Sequence, residues 1–287
     1  MTILKNYNQN SLLIINKNAF SCFSKNIITL NRFIKNYNTN LIQIKGFKKL
    51  IEQTNKSNNC YVFIGHLNHI NTIIRFYCNK VVKIEQVDIN NNKNGSNPDL
   101  LINCKNEKYA IEIKTINEKE FDKEETNYFL RKTKEDPGFL YDIPNKLGTS
   151  RNPIYPENWV KYMSQLNNNN NRKNILMFLT NLSPMRNMEN IINRFYEQIQ
   201  IEFQNNKNNE NKIEFLYKLH DNYIKEIENV PYDIFLERFH RFLSKTIILW
   251  TDKRNPLNKN YILPNNQNII KDKDLLWFLK TKNFKCF

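Results

Sequence analysis

Two acids and a lysine stand where their types and spacing could do chemistry: Pro98-Asp99, then twelve residues, then Glu112-Ile113-Lys114. Asp99 to Cys104 and Lys108 to Lys114 read as strands, with Lys105-Asn106-Glu107 as the short connection of a hairpin. Period-two alternation turns Glu112 and Lys114 to one face and Ile111 and Ile113 to the other. Asp99 can reach the first face from the neighbouring strand. Two carboxylates with a backbone carbonyl nearby make a hard, oxygen-rich set suited to Mg2+ or Mn2+. A lysine beside them would stabilise charge on a phosphate, or help lower the pKa of an attacking water. A charged trio on otherwise apolar strands costs stability unless something binds there. The plain alternative is a solvated hairpin carrying an ordinary Glu112–Lys114 ion pair.

The neighbouring segments would set this hairpin in a sheet. Ile70, Ile73, Ile74 and Tyr77 recur at helical spacing between His66 and Cys78. Val81 to Ile89 is rich in β-branched residues and reads as a strand. Pro156 opens a helix over Glu157–Leu166, and Asn174 to Thr180 is the apolar run of a buried central strand. Between the hairpin and that helix lies an irregular excursion, rich in Pro and Gly, with a short helix expected around Glu124–Lys134. Asn90–Asn97, Asn167–Asn171 and Gln204–Asn211 read as loops. Beyond Pro184 three apolar stripes predict helices: one from Met185 to Ile199, one from Ile213 to Ile227, and one starting at Phe235. The fold class is therefore α/β. Residues 1–60 read as a basic amino-terminal segment, 61–183 as the core, and 184–287 as a helical region packed on it.

The trio is the motif of the PD-(D/E)XK nuclease superfamily, and the chain resembles that superfamily in its element order from Asn68 to Thr180 as well. The resemblance implies a restriction-endonuclease-like αβββαβ core with a mixed sheet, and a metal-dependent deoxyribonuclease. It would make Asp99 and Glu112 ligands of Mg2+, with Mn2+ as a substitute, add the Ile113 carbonyl as a further ligand, and leave Lys114 to handle the hydrolytic water. RecB-type exonucleases within the superfamily carry a glycine and a metal-binding histidine on the upstream helix, and Gly65 and His69 match that spacing. The acid expected one turn later is Ile73, however, and in place of a downstream Gln-x-x-x-Tyr, Tyr162 precedes Gln165. Type II restriction enzymes share little beyond the trio. The residues leave this branch open, and His69 stands as a ligand or as an ordinary polar helix residue.

Other residues carry weaker expectations. Glu85 or Asp88 on the first strand could supply a third acid, or face solvent at a sheet edge. Gln165 and Lys161 on the helix near the site could touch phosphate, and so could Arg131, Lys132 and Lys134 in the excursion, although a solvated basic face explains those three as well. His66 and His69 form a two-ligand pair with no third ligand nearby in sequence, and His220 on an apolar stripe reads as a core histidine. GxSxG, GxxxxGK[ST], HExxH and GxGxxG are all missing.

Lys and Arg number 43 against 28 Asp and Glu, a formal net charge of +15. Asparagine makes up roughly a fifth of the chain, which points to AT-rich coding and discounts part of the lysine surplus. The distribution is more telling: the first 51 residues hold eight Lys or Arg and no acid. Such a start fits an organellar transit peptide poorly, since Arg32 is its only arginine, and better fits an ordered segment along a phosphate backbone. Five cysteines without a CxxC pair favour a reducing compartment. No run of eighteen apolar residues occurs, so no transmembrane helix and no membrane partner are expected. The expected partner is DNA, with a homodimer as a further option, in the cytoplasm or nucleoid, organellar targeting being the alternative. The expected function is a type II restriction-like endonuclease. The alternatives are a repair, recombination or RecB-type exonuclease and, from another class, an inactive nucleic-acid-binding protein on a nuclease-like fold.

Overall fold

A computed structural model of the chain describes residues 24–57, 60–79, 82–87, 98–116, 156–166, 172–180, 197, 214–251, 261–262 and 269–281. Six strands form one sheet in chain order: β1 (Lys83–Val87), β2 (Leu100–Cys104), β3 (Glu107–Ile116), β4 (Lys173–Thr180), β5 (Thr246–Trp250) and β6 (Tyr261–Ile262). The first three pair antiparallel, β4 and β5 run parallel to β3, and β6 closes the edge antiparallel. The sheet is mixed and the class is α/β. Helices α1 (Ser24–Gln43), α2 (Phe47–Lys56) and α3 (Cys60–Tyr77) precede β1, and α4 (Pro156–Leu166) lies between β3 and β4. Helices α5 (Glu214–Glu226) and α6 (Tyr232–Lys245) follow β4, and α7 (Lys273–Thr281) follows β6.

Alternation along β4 shows how the sheet acquires two covered faces. Ile175, Met177 and Leu179 join a core cluster with Tyr109, Ile111 and Ile113 of β3 and the apolar sides of α1, α2, α3 and α7. Leu176 and Phe178 point the other way, with Ala110 and Ile248, into a second cluster under α4, α5 and α6. A strand buried on both faces needs an apolar residue at every position, which is why Ile175–Leu179 is an unbroken apolar run.

The β2–β3 connection is tighter than its sequence indicates. Only Lys105 and Asn106 bridge the strands, both at positive φ (47° and 88°), the arrangement of a type I′ turn whose twist matches that of the strands. Asn tolerates this region and Lys does not gain from it. The Lys105 ammonium is instead tied to Asp272 at 2.9 Å and Asp274 at 3.0 Å, at the start of α7.

Both flanks differ from expectation. The described part of the basic amino-terminal segment is a helix pair whose apolar sides complete the core: Ile27, Leu30, Ile34 and Leu41 from α1, Phe47, Leu50 and Ile51 from α2. Lysines occupy the outward sides, so charge masked the helical period. The carboxy-terminal region is not purely helical, because Thr246–Trp250 adds β5 to the sheet directly after α6. Its five residues follow the helix with no Gly or Pro between them, so no breaker separates them from the preceding turn. The expected helices over Glu124–Lys134 and Met185–Ile199, the three Asn-rich loops, and Asp88, Arg131, Lys132 and Lys134 lie outside the described residues, apart from position 197.

The corner between α1 and α2 is fastened to β1. The Val87 N–H donates to the Lys45 carbonyl at 2.8 Å, and Lys45 forms a parallel bridge with Gln86. Gly46 sits at φ +90°, and a Cβ there would lie 1.7 Å from the Val87 carbonyl oxygen. Only glycine fits this approach. Among the described residues no helix is long and apolar enough to cross a membrane.

Candidate active site

Strand register assembles the trio. Leu100 pairs with Ile111, so Asp99, one residue ahead of β2, comes alongside Glu112. The Ile113 N–H donates to Asp99 Oδ2 at 2.7 Å, and the Asp99 N–H donates to Glu112 Oε2 at 3.3 Å. The Lys114 ammonium donates to Glu112 Oε1. Glu112 is completely buried, whereas the side chains of Asp99 and Lys114 keep 19% and 31% exposure, so the site opens to solvent over a buried carboxylate.

Helix α3 reaches the same place from the other side of the sheet. His69 Nε2 lies 3.1 Å from the Ile113 carbonyl oxygen and 3.9 Å from Asp99 Oδ2. One turn earlier on α3, His66 has a buried Nδ1 with no hydrogen-bond partner. Burial, reinforced by His69 and opposed by Asp99, lowers the His66 pKa to about 4 and keeps it neutral near pH 7. Beside His69, Asn68 is fully buried and its Nδ2 donates to Thr115 Oγ1 at 3.1 Å, fixing α3 to β3 one residue past Lys114.

Helix α4 covers the face that carries Glu112 and Lys114. The Lys114 ammonium stands 5.4 Å from the centre of the Tyr162 ring, close enough for a cation–π contact. Tyr162 is held edge-to-face by Trp159 at 5.8 Å and Phe178 at 6.0 Å. Gln165 lies one turn further along α4, its Oε1 buried and without a hydrogen-bond partner, while Lys161 on the same helix is exposed.

Electrostatics follow from this packing. Burial, with the Asp99 charge second, pushes Glu112 up to about 8, and Lys114 offsets part of that. Burial alone would lower Lys114, but Glu112 and Asp99 hold it above its ordinary range. Burial, together with Glu112, also raises the Tyr162 phenol. A carboxylate that resists ionisation beside a second acid gains most from a nearby cation.

The fold brings Asp99, Glu112, Ile113, Lys114 and His69 together. It does not bring Glu85 to them. Glu85 sits where the β1–β2 register shifts, exposed, 3.5 Å from Asn103 Nδ2 and 3.8 Å from Lys108 Nζ. Lys108 is four positions from Glu112 along β3, roughly 13 Å at the rise of a strand. His220 meets its core reading: its Nε2 is 2.7 Å from the Val230 carbonyl, and its ring packs against Tyr232 and Phe235. Asn68 and the Tyr162–Lys114 contact are additions that sequence reasoning missed. A buried asparagine in an apolar helix was the available sign of the first, and only the β3–α4 packing reveals the second.

Whether these groups fit a divalent ion can be judged from their donor chemistry. Among the described residues no three His, Cys, Asp or Glu side chains already converge as a metal-holding group. The donor set depends on the Ile113 carbonyl together with the Asp99 and Glu112 carboxylates, which hydrogen bonds from the Ile113 N–H to Asp99 and from the Asp99 N–H to Glu112 bring to one place. Two carboxylates and a carbonyl are the oxygen donors that a hard divalent ion takes. By donor chemistry the residues present fit such an ion. Comparison with protein-family models, curated proteins and solved structures finds no match to this chain.

Proposed function

We propose that the protein is a metal-dependent deoxyribonuclease of the PD-(D/E)XK superfamily, with a restriction-endonuclease-like core running from α3 to β4. The observation that supports this most is Glu112, fully buried on β3 and held between Asp99 and Lys114. Asp99, Glu112 and the Ile113 carbonyl would hold Mg2+, or Mn2+ in its place. The ion, when bound, supplies Lewis-acid polarisation of the scissile phosphate and a lower pKa for water. Lys114 contributes a fixed positive charge at the partly exposed rim, where it can hold the hydrolytic water and stabilise the extra negative charge of in-line attack. Tyr162 beneath it limits the directions the ammonium can take. His66, neutral near pH 7, adds no positive charge that would compete with the ion.

A type II restriction-like endonuclease is the leading form of this reading, acting on DNA in the cytoplasm or nucleoid. A RecB-type exonuclease is the second, favoured by the position of His69 beside both Asp99 and the Ile113 carbonyl. Incubation with supercoiled and linear DNA in Mg2+, Mn2+ or EDTA tests both. Discrete fragments and linearised circles identify the endonuclease, and shortening of linear DNA alone identifies the exonuclease. DNA binding without cleavage in any metal would instead favour an inactive scaffold.

A further inference from the structure

The corner fastened to β1 carries positive charge that the chemistry does not use. Residues 24–57 hold seven Lys or Arg and one acid, Glu52. At the corner itself Lys45, Lys48 and Lys49 are exposed, while Phe47, Leu50 and Ile51 between and after them are buried. Two of the lysines have weak exposed partners: Lys45 is 3.5 Å from Gln86 Oε1, and Lys48 is 3.9 Å from Glu52. Contacts of that kind give way readily to a phosphate.

The corner is also placed rigidly with respect to the trio. Val87, which binds Lys45, pairs with Leu100 of β2, and Leu100 pairs with Ile111 of β3, next to Glu112. Lys45 and the acids therefore occupy the same end of the sheet, and Lys48 and Lys49 follow it in the first turn of α2. Two strand spacings separate Lys45 from Asp99 and three separate it from Glu112, the latter about 14 Å. At 3.4 Å per base pair that span is roughly four base pairs of duplex.

We propose that Lys45, Lys48 and Lys49 form a backbone track that grips duplex DNA about four base pairs from the bond held at Asp99 and Glu112. The track rests on the nuclease reading for its purpose, but it is a binding surface and can be tested without cleavage. Each lysine that neutralises a phosphate releases counterions, so the salt dependence of binding counts the contacts. Gly46 makes the track a fixed distance from the site, because the corner cannot lift off β1 without losing the Lys45–Val87 bond.

The test is equilibrium binding of the full chain to a fluorescent duplex in EDTA, across about 50 to 200 mM salt. It compares wild type, Lys45→Gln/Lys48→Gln/Lys49→Gln, and a control, Lys83→Gln/Lys108→Gln/Lys273→Gln. The control removes the same charge from exposed positions at the other end of the sheet, beside the β2–β3 turn. The track variant should lower the slope of log K against log salt by about 2.7, or 0.9 per contact, and the control should lower it by less than one contact. An unchanged slope in the track variant, an equal fall in the control, or no binding by wild type would overturn the proposal. Wild-type binding with an unchanged track slope leaves the nuclease reading standing. A lowered slope without cleavage in any metal leaves the track standing and removes the nuclease.

Discussion

Glu112 has no exposure, an acid beside it and a lysine against it, and its neighbours decide what pH does to it. Its folded pKa of about 8 lies above its ordinary 4.5. Between those values the folded chain holds a proton that the unfolded chain releases. The stability carried by neutral Glu112 is thus full below about pH 4.5 and is lost as pH rises towards 8. Glu112→Gln removes that dependence. From pH 5 to pH 8 the wild type should lose about 1–2 kcal/mol more than the variant, or roughly 2–3 °C more in Tm. Thermal melts at the two pH values check this, and an equal fall in Tm for both proteins would contradict it. A residue that costs stability where it stands is what a functional site requires. The trio was legible in sequence because strand alternation and charge conflict at Glu112 and Lys114. His69 was only half legible: its spacing from Gly65 was visible, but its contact with Ile113 spans 44 residues and needs the fold. Glu85 misled for the opposite reason, since an acid in a strand is uninformative until the register shows which end it occupies.

At the scale of elements, the β2–β3 turn decides whether Asp99 meets Glu112. A change in its length would slip the register and turn the acids to opposite faces. Asn106 at φ 88° tolerates that conformation better than other side chains. Asn106→Ala should therefore lower stability by about 1–2 kcal/mol while Asn106→Gly holds it, as measured by urea unfolding. Equal stability of the two variants would exclude the turn geometry. The hairpin was legible because two apolar runs flank a short polar link. Its two-residue span was not, since Lys105 is a poor residue for positive φ and is placed there with its ammonium bound to Asp272 and Asp274, more than a hundred and fifty positions away. Helix α4 was legible from Pro156 and its apolar spacing, but its ring contact with Lys114 was not. Strand β5 was hidden behind α6, where a short apolar run follows the helix with no Gly or Pro to mark its end.

The whole molecule joins these parts through the amino-terminal corner. Helices α1 and α2 bury apolar residues in the cluster shared by α3, the sheet and α7, so residues 24–57 of the basic segment are part of the core. Gly46 is the narrowest point of that union. Gly46→Ala would place a methyl 1.7 Å from the Val87 carbonyl at a φ disfavoured for alanine, and should cost about 2–3 kcal/mol in a chemical denaturation curve. A change below 0.5 kcal/mol would show that the corner is not seated on β1 as described. The charge of the chain has the same organisation. Composition showed a surplus of +15, and the fold places Lys45, with Lys48 and Lys49 just after it on α2, by the strand end that carries the acids.

The central claim is that Asp99, Glu112 and Lys114 hydrolyse DNA with a divalent ion, and one measurement tests it most directly. Purified wild type, Glu112→Ala and Lys114→Ala are incubated with DNA in Mg2+ and in EDTA, and the initial rate of phosphodiester cleavage is recorded. The predicted result is cleavage by wild type in Mg2+ alone, reduced by roughly 10²–10⁴-fold in each variant with DNA binding retained. Cleavage that persists in EDTA, or equal rates in wild type and both variants, would contradict it.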